Sequence, residues 1–175
     1  MAEIKDTMDR MVRTQNPVEE ILLKIPGFRG YLDKEARRES DKMHRDYLAK
    51  KLDEAKRHVN RVKSELVDEG KILQLEKLDR LVDRLDGSIS RIRYADRGYS
   101  GFFDAVKMDD EALQTLHQLD LALVEQVTAV EVAIRRLDVD LADADLKDAV
   151  KGVGAAIESL DIRFAERDDV VTGVK

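Results

Sequence analysis

The sequence predicts an all-α protein: an antiparallel helical bundle with one long coiled-coil-like helical hairpin. Three observations predict it. Apolar residues recur at spacings of three and four in separate segments, which gives each helix a single apolar face. Charged residues make up 39% of the 175 positions and aromatic residues only 5%, the composition of long helices rather than of a sandwich. No segment alternates apolar and polar residues with the period of two that a half-buried strand requires.

The longest segment runs from Gly30 to Glu69 without an internal Pro or Gly. Leu48, Leu52, Ala55, Val59, Val62 and Leu66 lay a stripe along one side of it. A helix of that length spans on the order of 60 Å, so it must project, bend or dimerise, and a homodimer built on its overhang is one expectation. Val67-Asp68-Glu69-Gly70-Lys71 is the expected reversal, with Gly70 as the residue beyond the helix end. The alternative, a helix running straight through Gly70, costs about 1 kcal/mol relative to Ala.

The segment after the reversal carries Ile72, Leu75, Leu78, Val82, Leu85, Ile89 and Ile92, the clearest heptad in the chain. Gly87 within it marks a close crossing or nothing. Asp109 or Asp110 caps the next helix, whose stripe is Leu116, Leu119, Leu123, Val127, Val130, Ile134 and Leu137. A short acidic connection, 138–144, implies antiparallel neighbours. The last helix uses Leu146, Val150, Val153, Ile157, Leu160 and Phe164, with Gly152 and Gly154 either weakening it or admitting another helix. Ahead of these lie short helices within residues 1–24: a weakly amphipathic Glu3–Arg13, then a segment opened by Asn16-Pro17-Val18-Glu19. The bundle is expected over 25–167, followed by a loose tail over 168–175.

Composition excludes several functions. With no Cys there is no disulfide framework, thiolate metal site or cysteine nucleophile. No run of eighteen apolar residues occurs, so no transmembrane segment is expected, and the N-terminus lacks the apolar centre of a signal peptide; the expected location is cytoplasmic. Net charge is −6, but 13 Lys or Arg face 7 Asp or Glu between Lys24 and Lys63, leaving −12 for the remainder. A basic helix against an acidic remainder is self-complementary, or it presents a cationic face to phosphates or an acidic partner.

No motif assigns a reaction. Di-iron bundles use paired Glu-x-x-His repeats, whereas this chain offers a single Asp41-Lys42-Met43-His44, too little for two metals. His58 and His117 stand alone, as surface helical histidines usually do. Gly98-Tyr99-Ser100-Gly101 lacks the Lys and Ser or Thr of a phosphate loop, and no nucleophile elbow is present. No catalytic, cofactor-binding or metal-binding residue is therefore assigned, and no cofactor is expected. The helix of 30–69 is rich in Arg and Lys, but Glu and Asp interleave with them, as in Asp46 with Lys50 and Asp53 with Arg57 at i, i+4. Six of the eight aromatic residues gather in two glycine-bearing turns, Phe28 and Tyr31 in one and Tyr94, Tyr99, Phe102 and Phe103 in the other. Aromatic rings in polar turns are seldom left uncovered, so these are expected to plug the bundle ends.

Ile25-Pro26-Gly27-Phe28-Arg29-Gly30-Tyr31, continuing through Lys34-Glu35-Ala36-Arg37-Arg38-Glu39, resembles the opening of a family of bacterial helical proteins. Tyr94-Ala95-Asp96-Arg97-Gly98-Tyr99-Ser100-Gly101-Phe102-Phe103-Asp104 resembles its second signature. The resemblance covers about thirty residues and implies a bacterial, mostly helical protein with no assigned activity and no catalytic residues to carry over.

The functional expectation is a non-enzymatic structural or protein-interaction module, with a protein partner or a second copy of itself. Its expected interaction surface comprises Phe28, Tyr31, Arg37, Arg38, Arg45, Tyr94, Tyr99, Phe102 and Phe103. The alternative is a phosphate-binding protein that sets the basic face of helix 30–69 against nucleic acid or anionic lipid.

Overall fold

A computed structural model describes residues 34–95 and 110–172, with side chains described over 39–95 and 114–171. The expectations for the short helices of 1–24, for the turn at Ile25–Tyr31 and for the loop holding Tyr99, Phe102 and Phe103 lie outside the described residues. Within them are four helices and one 3-10 turn: α1 Lys34–Asp68, the turn Ile72–Gln74, α2 Leu75–Tyr94, α3 Asp110–Ile134 and α4 Asp143–Thr172. No strand occurs among the described residues.

α1 packs on α2 and α3, and α4 packs on α3 and α2, so the four helices form a square with α1 diagonal to α4. Named contacts fix their directions. Lys56 pairs with Asp86 and Lys63 with Asp79, which sets α1 and α2 antiparallel. His44 lies beside Asp120, and His58 further along reaches Leu137, so α1 and α3 run the same way. Ser88 bonds Asp161 and Arg91 stacks over Phe164, so α2 and α4 also run the same way. The result is an up-down-up-down bundle of two antiparallel hairpins.

The stripes read from the sequence form its interior. Leu48, Leu52, Val59, Val62 and Leu66 of α1 are buried against Leu78, Leu85, Ile89 and Ile92 of α2 and against Leu116, Leu123, Val127, Val130 and Ile134 of α3. Every stripe residue of α4 from Leu146 to Phe164 is buried as well. These contacts exclude water from a continuous apolar surface, the main favourable contribution to folding.

The α1 end settles the question of Gly70. Its φ is +72°, a left-handed conformation that costs any residue with a Cβ. Lys71 N–H donates to Leu66 O at 2.8 Å and Gly70 N–H to Val67 O at 3.0 Å, the paired bonds of a Schellman motif. The helix stops, and the chain reverses at the expected place.

Three boundaries differ from expectation. Ile72 is 64% exposed, because the 3-10 turn places it before the helical phase of α2 is established; the core stripe of α2 begins inward of it. α4 continues to Thr172 and buries Val171, so the tail expected from 168 is helical over its first residues. Leu119 is only half-buried, and Asp120 takes the inward position beside it. Of the glycines, Gly154 faces α2, where a Cβ would sit 3.4 Å from Arg84 Nη1, whereas Gly87 and Gly152 have open space around them. Gly87 therefore marks no close crossing.

Candidate functional site

Charged side chains enter the interior at one level, near the bundle end that holds the C-terminus of α2. Asp41, His44 and Arg45 of α1, Asp120 of α3 and Arg167 of α4 are all buried there. Asp41, His44, Arg45 and Arg167 extend the apolar stripes of α1 and α4, and Asp120 lies within that of α3 between Leu116 and Leu123, so the period that buries the leucines also carries these groups inward.

Their bonds connect all four helices. Arg167 donates from Nε to Asp120 Oδ1 at 2.6 Å and from Nη2 to Asp41 Oδ1 across the bundle diagonal. Arg45 donates from Nε to Asp41 Oδ2 at 2.9 Å. Its Nη1 donates to the backbone carbonyl of Arg93 at 2.9 Å and approaches that of Ile92 at 3.4 Å. These carbonyls belong to the last turn of α2, where the helix dipole favours a cation and where carbonyls lack intrahelical donors. His44 Nδ1 lies 3.4 Å from Asp120 Oδ1.

The layer is charge-balanced, with two carboxylates against two guanidiniums. Burial pushes the His44 pKa below its ordinary 6.5; Asp120 and Asp41 oppose that shift, and Arg167 adds to it. His44 is therefore neutral at pH 7. His117, one turn before Asp120, is also lowered by desolvation. Removing charges from water is costly, and mutual attraction offsets that cost only when geometry is good and the remaining polar atoms are bonded. What such a layer contributes is specificity, because any slip of one helix strands a buried charge. Among the described residues no group of three or more His, Asp or Glu is arranged to hold a metal ion.

The opposite end, at the Gly70 reversal, has a different character. Val67, in the last turn of α1, is 54% exposed, and Ile72 and Leu73, on the 3-10 turn that follows, are 64% and 80% exposed. Beside it, α1 and α2 flank a groove of about 480 Å³ lined by Asn60, Lys63, Ser64, Val67, Asp68, Leu75 and Asp79. The turn is braced from the other hairpin, since Lys71 Nζ donates to Val139 O at 2.8 Å. His58 performs the same service further along. Arg61 donates to its Nδ1, which leaves the proton on Nε2 to meet Leu137 O at 3.0 Å.

Of the expected interaction surface, Tyr94 is 63% exposed, whereas Arg45 is 2% exposed and bound to Asp41. Arg45 is therefore not a surface residue; its guanidinium is drawn inward by a carboxylate one turn earlier and by the open carbonyls of α2. Arg37 and Arg38 lie in α1 with side chains outside the described set, and Phe28, Tyr31, Tyr99, Phe102 and Phe103 lie outside it altogether. Three cations of α1 pair with carboxylates of its neighbours: Lys51 with Glu131 of α3, and Lys56 and Lys63 with Asp86 and Asp79 of α2. Asp53, expected to pair with Arg57, instead accepts from Arg93 of α2 at 2.7 Å. Sequence reasoning missed Asp120 and Arg167 as buried groups, although their positions three residues before Leu123 and after Phe164 mark them as stripe members.

The fold and its polar layer define a class: an antiparallel four-helix bundle with one buried, charge-balanced ionic level. Among the described residues no helix is long and apolar enough to cross a membrane. Compared with known proteins, the chain matches no family model, no curated protein and no solved structure.

Proposed function

We propose that this chain is a non-enzymatic, cytoplasmic protein-interaction module. The observation that carries the reading is the exposure of Val67, Ile72 and Leu73 on either side of a reversal that Gly70 and Lys71 hold in a defined conformation. Large apolar side chains grouped at the surface lose free energy by staying wet and gain it by being covered. The ionic layer supports the same reading, since its charges are neutralised internally and its bonds tie helices to one another.

The test is site-specific photo-crosslinking in the native host, with the photoreactive residue at Leu73 and a control at the exposed Lys50. Protein adducts at Leu73 above the control support the reading; equal labelling at both contradicts it. A second reading, phosphate binding by the basic side of α1, draws on Lys50 and Arg57, which are exposed and make no ion pair among the described residues. Binding to nucleic acid or anionic vesicles that weakens steeply with added salt favours that second reading.

A further inference from the structure

The outward side of α1 carries charges at spacings of three and four: Glu39, Lys42, Asp46, Lys50, Glu54 and Arg57, all exposed. Their signs alternate along about 27 Å of helix and cancel. None of the six makes an ion pair among the described residues, in contrast to Lys51, Lys56 and Lys63 on the flanks of the helix. Arg93, which attracts Asp46, is itself bound to Asp53. The pattern matches itself in one closed arrangement. Glu39 and Arg57 are equidistant from Leu48, as are Lys42 and Glu54, and Asp46 and Lys50, and each of these pairs is opposite in sign. A two-fold axis at the level of Leu48 therefore sets two antiparallel α1 helices with every charge of the stripe facing an unlike one. Moving the axis about half a turn, to Asp46 or Lys50, sets like charges opposite each other. Parallel helices in register do the same, and parallel helices shifted by one turn add copies without closing. A strongly cationic or strongly anionic partner meets three like charges on this stripe, so complementarity selects a second copy.

We infer that the outward face of α1 is a two-fold, antiparallel contact between two copies of this chain, with Asp46 of each opposite Lys50 of the other. The surface is separate from the apolar side chains at the Gly70 reversal, so the inference goes beyond the reading drawn from them. Exposed ion pairs are individually weak and screened by salt, so the contact is of low affinity and depends on the whole stripe acting together.

Sedimentation equilibrium of the full chain, loaded up to about 1 mM, tests it, since at that concentration even a millimolar Kd populates the pair. In low salt the expected result is a monomer–dimer equilibrium that stops at twice 19.9 kDa. Raising the salt from about 0.01 M to about 1 M cuts the screening length from about 30 Å to about 3 Å and weakens association by about tenfold or more. Lys50→Glu and Asp46→Lys each weaken it by about tenfold or more, because each sets like charges against one another twice. Both positions are exposed, so the helical circular dichroism of each variant in dilute solution matches wild type. Mixed in equal amounts, the two variants recover a dimer holding one of each, since two acidic groups of one then face two basic groups of the other. A chain that stays at 19.9 kDa in low salt overturns the inference, as do assembly beyond the dimer, association indifferent to salt, and variants that fail to recover on mixing. Duplex DNA bound more tightly by Asp46→Lys than by wild type, with no dimer in low salt, overturns it in favour of phosphate binding. A photoreactive residue at position 50 captures a second copy, told by its mass from an adduct with another protein at Leu73, so the two readings fail separately.

Discussion

Arg167 Nε donates to Asp120 Oδ1 at 2.6 Å, between α4 and α3, with both side chains fully buried. Such a contact is short and charge-assisted, and removing one member leaves the other ionised without its partner in the interior. Asp120→Ala is expected to destabilise by about 3–5 kcal/mol, read as a lower urea midpoint with an unchanged slope. A loss under about 1 kcal/mol, the scale of an exposed pair, would show that water reaches the layer.

Acidification acts on this layer through histidine. His44 and His117 have folded-state pKa values below their ordinary 6.5, His44 and His117 both chiefly through desolvation. The unfolded chain therefore takes up protons first, and stability falls as pH drops below about 6.5 toward the folded values. Asp53 titrates in a lower window: a hydrogen bond from Arg93 holds its pKa below 3.8, so its contribution is present above that value and is lost as pH falls through the folded one. Urea midpoints measured from pH 7 downward should show the first decline in wild type and a shallower one in His44→Leu. Equal slopes in the two proteins would remove His44 from the account.

Gly70 and Gly87 should respond in opposite directions to the same substitution. Gly70→Ala is expected to cost about 1 kcal/mol, because φ is +72° while the space around it is open, so the penalty is conformational. Gly87→Ala lies within α2 with nothing near its added Cβ and should stabilise by about 0.5–1 kcal/mol. Thermal melts of the two variants decide it; a stabilised Gly70→Ala would mean that the helix continues through the turn.

Leu78 and Ile72, neighbours on one sequence heptad, should separate sharply. Leu78→Ala is expected to cost about 2–4 kcal/mol, since its side chain is fully buried. Ile72→Ala should change monomer stability by less than about 0.5 kcal/mol, since its side chain is 64% exposed. Equal effects in chemical denaturation would place both residues on the same face.

The stripes at Leu48–Leu66, Leu78–Ile92, Leu116–Ile134 and Leu146–Phe164 were legible because apolar spacing alone buries them. Gly70 was legible because few residues tolerate its backbone geometry. The ionic layer was not, for a physical reason. Asp41, His44, Arg45, Asp120 and Arg167 occupy inward positions, but a hydrophobic pattern treats a charge as solvent-facing: it ends the stripes of α1 and α4 before these residues and, in α3, takes Leu119 in place of Asp120. Recognising them requires knowing which helix levels coincide, so that two carboxylates meet two guanidiniums. That is a property of packing between segments, not of any one segment. Ile72 failed in the converse way, because a 3-10 turn advances the side chains by a different angle per residue and shifts the stripe's first member outward.

The measurement that bears most directly on the central claim, that one buried ionic level locks four helices in register, is a double-mutant cycle on Asp120 and Arg167. Asp120→Leu and Arg167→Met are each expected to be strongly destabilising, and the double variant less so than the sum, with a coupling of about 2 kcal/mol or more. Additive effects, with coupling near zero, would contradict the claim.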